Sequence, residues 1–145
     1  MPSYQPIGLI RSPFTHRHLT PIQPSRSPEG GQVVVLPKYE AGLQDVEGFS
    51  HIILLYHFHR TDPGYELSVT PFLDDVPRGL FATRYPRRPN SLGLSVVRLK
   101  GREGRVLHVE GIDVLDGTPL LDIKPYVPPF DAFTDATLGW LDGKV

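Results

Sequence analysis

Apolar residues fall into short runs along the chain, most of them alternating with polar ones, and a proline or glycine closes nearly every run. The pattern predicts a first strand over 6–12, with Ile7, Leu9 and Arg11 on one face, and a second over 32–36. Pro37 then opens a single helical turn that Gly42 closes. Residues 49–58, FSHIILLYHF, are the most apolar run and read as a strand buried on both faces. His51, Ile53, Leu55, His57 and His59 would share one side, and Ile52, Leu54, Tyr56 and Phe58 the other. A strand over 65–70 stops at Pro71. The clearest alternation lies within 104–114, where Val106, His108 and Glu110 oppose Leu107 and Val109. Leu115-Asp116-Gly117-Thr118-Pro119 predicts a sharp turn, since Asp-Gly tolerates positive φ, and a last short strand follows over 120–123. A short helix capped by Thr134 is expected over 131–140.

Residues 79–99, GLFATRYPRRPNSLGLSVVRL, read as strand, basic turn, strand. Pro86 and Pro89 lack amide donors and bias Tyr85 and Arg88 towards extended backbone, so three arginines stand in one stiff loop. Such a loop either displays guanidinium groups to an anion at little entropic cost or is a solvated turn with incidental arginines.

The length of 145 residues fits one domain with a real core. Fourteen glycines and sixteen prolines shorten every helix and favour many short strands, so the expected class is mainly β, a barrel or a sandwich. There is neither an apolar run long enough to span a bilayer nor a basic-then-apolar leader, which leads us to expect a cytoplasmic protein with no membrane partner. The absence of cysteine excludes disulfides, thiolate metal sites and a cysteine nucleophile. The connection over 13–31, rich in Pro, His and Ser, is long for a compact domain.

A net charge of −1 conceals segregation: residues 78–108 carry eight basic and one acidic side chain, while 39–77 carry one and seven. Either a positive face for phosphates or simple pairing of basic with acidic strands follows. His57-x-His59 and His16-x-His18 have the spacing of metal ligands on a strand, so a metal-dependent barrel enzyme using His51, His57 and His59 is one alternative. A non-catalytic RNA-binding adaptor barrel is another. The glycine-rich dinucleotide fingerprint, the P-loop, the nucleophile elbow and HExxH are all missing.

Phe81-Ala82-Thr83-Arg84, Arg88-Pro89-Asn90, Gly93-Leu94-Ser95, Leu115-Asp116-Gly117-Thr118-Pro119 and Asp122-Ile123-Lys124-Pro125-Tyr126 occur in that order. Upstream stand Ile7-Gly8, Ser12-Pro13-Phe14, Gly42-Leu43, Glu47 to His51, Leu55-Tyr56 and Phe58-His59. Together these motifs resemble the TsaA-like (YaeB, TrmO) family. The resemblance implies a domain over 1–130, with 131–145 as a tail, folded as a small antiparallel β-barrel unlike the Rossmann methyltransferases and working as a homodimer. It implies an S-adenosylmethionine-dependent methyltransferase, without a metal, that methylates the exocyclic amine nitrogen of threonylcarbamoyl-adenosine 3′ of the tRNA anticodon. Carried over residue by residue, cofactor contacts would fall on Pro21, Ile22, Gln23, His59, Arg60, Arg84, Leu94, Leu115, Asp116, Gly117 and Thr118. Arg87, Arg88, Asn90, Lys124 and Tyr126 would face the acceptor. No general base is named by the resemblance; Asp116 is the first candidate.

Four positions depart from the family's pattern: Tyr85 stands where Ser is common, Ser91-Leu92 replaces Pro-Ile, and Pro129 stands where an aromatic or polar residue is common. Bacterial members carry a C-terminal extension, whereas the sequence here runs to Val145, so a different RNA or a smaller acceptor is also open.

Overall fold

A computed structural model describes residues 2–15 and 30–145. The expectations for His16, His18, Pro21, Ile22 and Gln23 lie outside the described residues. In chain order the strands are β1 (Gly8–Arg11), β2 (Gly30–Val35), β3 (His51–His57), β4 (Ser68–Val69), β5 (Arg78–Gly79), β6 (Leu92–Glu103), β7 (Val106–Glu110) and β8 (Thr118–Pro125), followed by a one-turn helix α1 (Pro128–Asp131). Six of them close into an antiparallel barrel in the order β1-β2-β7-β6-β3-β8, with β8 pairing back onto β1. Closure removes the unpaired edges that an open sheet of such short strands would expose. The fold is therefore the barrel, not the sandwich.

Two-residue periodicity decides which side chains fill it. Ile52, Leu54 and Tyr56 of β3, Val33 and Val35 of β2, Leu107 and Val109 of β7, Ile10 of β1 and Leu120 of β8 are all buried in one cluster. Only one face of β3 is packed: His51, Ile53 and Leu55 are half-buried and His57 is exposed, which corrects the expectation of burial on both faces. A closed barrel has a single inside, so an apolar outer face need not be covered. In β1 the inward residues are Gly8 and Ile10 and the outward ones Leu9 and Arg11, while Ile7, just before the strand, packs against the core and so does not share their face as expected. The helical turn predicted at Pro37 is a 3₁₀ turn over Pro37–Leu43, seated by buried Leu43.

The central stretch is not a hairpin. β5 pairs with β4, Gly79 opposite Ser68, whereas β6 pairs with β3 and β7. In place of the expected strand over 79–83, Leu80–Ala82 forms a 3₁₀ turn. Leu80 is buried, and both the Thr83 amide (3.0 Å) and the Thr83 hydroxyl (2.7 Å) donate to its carbonyl, which closes the turn. The helix expected over 131–140 is absent too. Ala132 is already extended after α1, and the next helical turn is Gly139–Leu141.

The chain divides into two compact units, a barrel unit (Met1–His59 with Leu92–Tyr126) and a smaller unit (Arg60–Ser91 with Val127–Val145). Within the smaller unit, the Asp74 side chain is only 4% exposed. It accepts bonds from Arg78 Nε (2.9 Å) and Nη2 (2.6 Å), and Lys144 Nζ stands 3.4 Å away. Hydrogen bonding by Arg78 is the main reason its carboxyl is held down at about 2. Trp140 Nε1 donates to the Ala82 carbonyl at 2.7 Å, and the Arg78 guanidinium lies 5.5 Å from the Trp140 ring centroid. Among the described residues, no helix is long and apolar enough to cross a membrane.

Candidate functional site

In the barrel unit, Leu115-Asp116-Gly117-Thr118 makes the turn into β8. The Thr118 amide and hydroxyl both donate to the Leu115 carbonyl (3.3 and 2.6 Å), and Gly117 sits at φ 82°, the positive value that the third position of such a turn requires. The turn is stitched to the end of β1. Asp116 N donates to Phe14 O and Gly117 N to Ile10 O, each at 2.8 Å. Ser12 N donates to Asp116 Oδ1 at 3.0 Å, and Ser12 Oγ donates to Val114 O at 2.6 Å. Arg11 Nη1 lies 3.6 Å from Asp116 Oδ2. Ser12-Pro13-Phe14 and Asp116-Gly117, 104 positions apart between Ser12 and Asp116, are thus one construction.

With an amide on one oxygen and a guanidinium near the other, the Asp116 carboxylate is oriented and partly neutralised. So held, the carboxylate presents its remaining lone pairs to hydroxyl or ammonium groups.

A second constellation went unseen in the sequence. Tyr56 Oη is 2.7 Å from Ser95 Oγ, and Ser95 Oγ donates to Asp113 Oδ1 at 2.8 Å. Because the Ser95 proton goes to the carboxylate, Tyr56 is the donor to Ser95. Gly93 makes this possible: a Cβ there would overlap the Tyr56 ring, so only glycine lets the ring lie against β6 and bring its hydroxyl to Ser95. The one available signal was Ser95, a polar residue alternating in phase with Gly93 and Val97 on the inward face.

The other expected contacts scatter. Leu94 is 52% exposed on the outer face of β6, opposite Leu55 of β3, while its neighbour Ser95 is 2% exposed inside. Lys124 pairs with Asp122 at 2.9 Å, and the Tyr126 amide donates to His51 O at 3.1 Å with its ring edge-on to the imidazole. His59 closes the first segment of the barrel unit and Arg60 opens the smaller one. His51 and His57 occupy opposite ends of β3, about 20 Å apart at strand rise, too far to share a metal. Among the described residues no three His, Asp or Glu side chains cluster as metal ligands.

The basic loop belongs to the smaller unit. Arg88 Nη1 donates to the carbonyls of Thr83 (2.9 Å) and Tyr85 (2.8 Å), so one of the three arginines braces the loop it was expected only to decorate. Arg87 Nη2 reaches Pro63 O at 3.2 Å, and its buried Nε has no hydrogen-bond partner. Arg84 and Asn90 are exposed. On the barrel, two of the three basic residues of β6 are paired with acids: Lys100 with Glu110 at 2.7 Å and Arg102 with Glu47 at 3.0 Å. Both carboxyls are held below the usual range, Glu110 chiefly by the Lys100 hydrogen bond and Glu47 first by its own backbone and then by Arg102. Ion pairing therefore absorbs part of the segregated charge, at Arg78, Lys100 and Arg102.

The donor and acceptor groups fit S-adenosylmethionine. Taken by itself, the pinned turn offers a carboxylate for ribose hydroxyls or an amine, and a glycine that admits close approach. The loop, taken by itself, offers guanidinium groups for a carboxylate.

Comparison with known proteins agrees. A family model described as the tRNA-methyltransferase O N-terminal domain matches residues 9–132. A Pyrococcus abyssi protein named "Probable S-adenosyl-L-methionine-binding protein" is 51% identical over 98% of this chain and 77% of its own length. A Mus musculus protein named tRNA (adenine(37)-N6)-methyltransferase is 37% identical over 88% of this chain and 31% of its own. The crystal structure of TrmO from Pseudomonas aeruginosa superposes with a TM-score of 0.81 at 43% identity, covering 97% of this chain and 62% of that one. The chain thus spans less than two thirds of the mouse and Pseudomonas proteins.

Proposed function

The chain belongs to the tRNA-methyltransferase O N-terminal domain family, and from that membership we propose that it is an S-adenosylmethionine-dependent tRNA methyltransferase. Its acceptor is the exocyclic N6 nitrogen of threonylcarbamoyl-adenosine 3′ of the anticodon, and its working form is a homodimer. The observation that carries the reading is the Asp116–Gly117 turn: a sequence motif of the resemblance that Ser12, Phe14 and Ile10 tie by hydrogen bonds to the end of β1.

When bound, the cofactor supplies a methyl group already activated by the sulfonium, so the protein's task is alignment more than activation. Asp116 holds hydroxyl or amine groups through a carboxylate that Ser12 and Arg11 keep in one orientation. Of the barrel unit, Gly117 keeps the approach open and Leu94 and His59 add contacts; of the smaller unit, taken by itself, Arg84 and Arg60 offer guanidinium groups for a carboxylate. Arg87, Asn90, Lys124 and Tyr126 serve the acceptor, and Arg88 serves it by holding the loop in shape. The homodimer draws support from the outer face of β3 and β6, where Ile53 stands opposite Val96 and Leu55 opposite Leu94.

Calorimetric titration with S-adenosylmethionine tests the reading, alongside Arg84→Ala. Micromolar binding that disappears in the variant is expected, followed by methyl transfer to tRNA carrying threonylcarbamoyl-adenosine. A folded protein that binds no cofactor in either form would refute it.

A further inference from the structure

We propose that Phe81, backed by Arg88, is a platform on which a nucleobase of the RNA acceptor stacks; the inference deepens the RNA reading above and rests on it. Phe81 is 74% exposed, yet the turn that carries it is tied down on every side. Leu80 is buried and its amide donates to Leu67 O at 2.9 Å. Thr83 closes twice on Leu80 O, and the Ala82 carbonyl accepts Trp140 Nε1. A large ring held outward from a fixed turn loses little conformational freedom when it meets a flat partner.

The ring is also oriented. The Arg88 guanidinium lies 5.8 Å from its centroid, and two carbonyls, those of Thr83 and Tyr85, hold that guanidinium in place. Tyr85, 39% exposed, offers a second aromatic four residues on. From Arg84 to Asn90 the chain has three arginines and no acidic residue, while Arg78 upstream is paired with Asp74. Aromatic faces set among cations are what single-stranded nucleic acid requires, a π-surface for the base and positive charge for the adjoining phosphates.

The same charge pattern argues against a second copy of this chain as the occupant. A two-fold contact through one patch would set these arginines against their own counterparts, with no carboxylate in the segment to offset them.

The test is fluorescence anisotropy of a labelled anticodon stem-loop RNA with the full chain and with Phe81→Leu and Phe81→Trp, at one near-physiological salt concentration. Cofactor affinity is measured by calorimetry and association state by sedimentation. Phe81→Leu is expected to bind the RNA about tenfold more weakly and Phe81→Trp within about twofold of wild type, both with unchanged cofactor affinity. Equal RNA affinity for Phe81→Leu and wild type would overturn the platform even if the RNA is methylated. Unchanged RNA affinity with a shift in association state would overturn it too, and would assign the ring to a protein contact. A wild type that binds cofactor but no RNA would sink the RNA acceptor and the platform together, whereas failure to bind either would sink the methyltransferase reading itself.

Discussion

Tyr56 and Ser95, 39 positions apart, meet inside the barrel with their hydroxyl oxygens 2.7 Å apart, and Ser95 passes the chain of hydrogen bonds on to Asp113. Ser95→Ala removes two bonds and should cost about 1–3 kcal/mol, whereas Tyr56→Phe removes one and should cost about 1 kcal/mol. Urea unfolding of the single and double variants measures both. Because the bonds are shared, the double variant should lose less than the sum of the singles.

Gly93→Ala tests the same contact from the other side. The new methyl overlaps the Tyr56 ring, which is held by its neighbours in the core, so a loss of roughly 1–3 kcal/mol is expected from overpacking. Gly42→Ala, where a Cβ meets nothing within 4 Å, is the control and should show no comparable loss.

Asp116→Asn separates binding from architecture. The amide oxygen can still accept the Ser12 N–H, so the melting temperature should change little, while the charge facing Arg11 is gone. Affinity for S-adenosylmethionine should fall about tenfold if the carboxylate anchors the cofactor, as a charge-assisted bond is lost. Unchanged affinity with a collapsed kcat would instead place Asp116 in proton transfer.

Asp74 predicts a pH signature in the smaller unit. Its carboxyl is depressed from 3.8 to about 2, chiefly by the hydrogen bonds from Arg78, so its contribution is present above about pH 4 and is lost as pH falls through about 2. Thermal melts of wild type and Asp74→Asn should differ near neutrality and converge in that acid window. A difference that persists undiminished to pH 2 would contradict the assignment.

Much of the barrel was legible from period-two alternation, because each strand needs only to know which of its own faces is apolar. Leu107 and Val109 declared their face in that way, whereas the continuous apolar runs over 32–36 and 49–58 marked strands without showing that Val33 and Val35, or Ile52, Leu54 and Tyr56, form the inward face. The Asp116–Gly117 turn was legible for an equally local reason, the tolerance of Gly117 for positive φ. Tertiary structure alone decided the rest. Closure of the sheet left one face of β3 unburied, and burial of Leu80 turned an expected strand into a 3₁₀ turn. Ser12 reached Asp116 across 104 positions, and Arg88 turned back on the carbonyls of its own loop. Local periodicity records the faces of a strand, but hydrogen-bond partners and exposure are set by which distant segments arrive beside it, and no pattern within one segment encodes that.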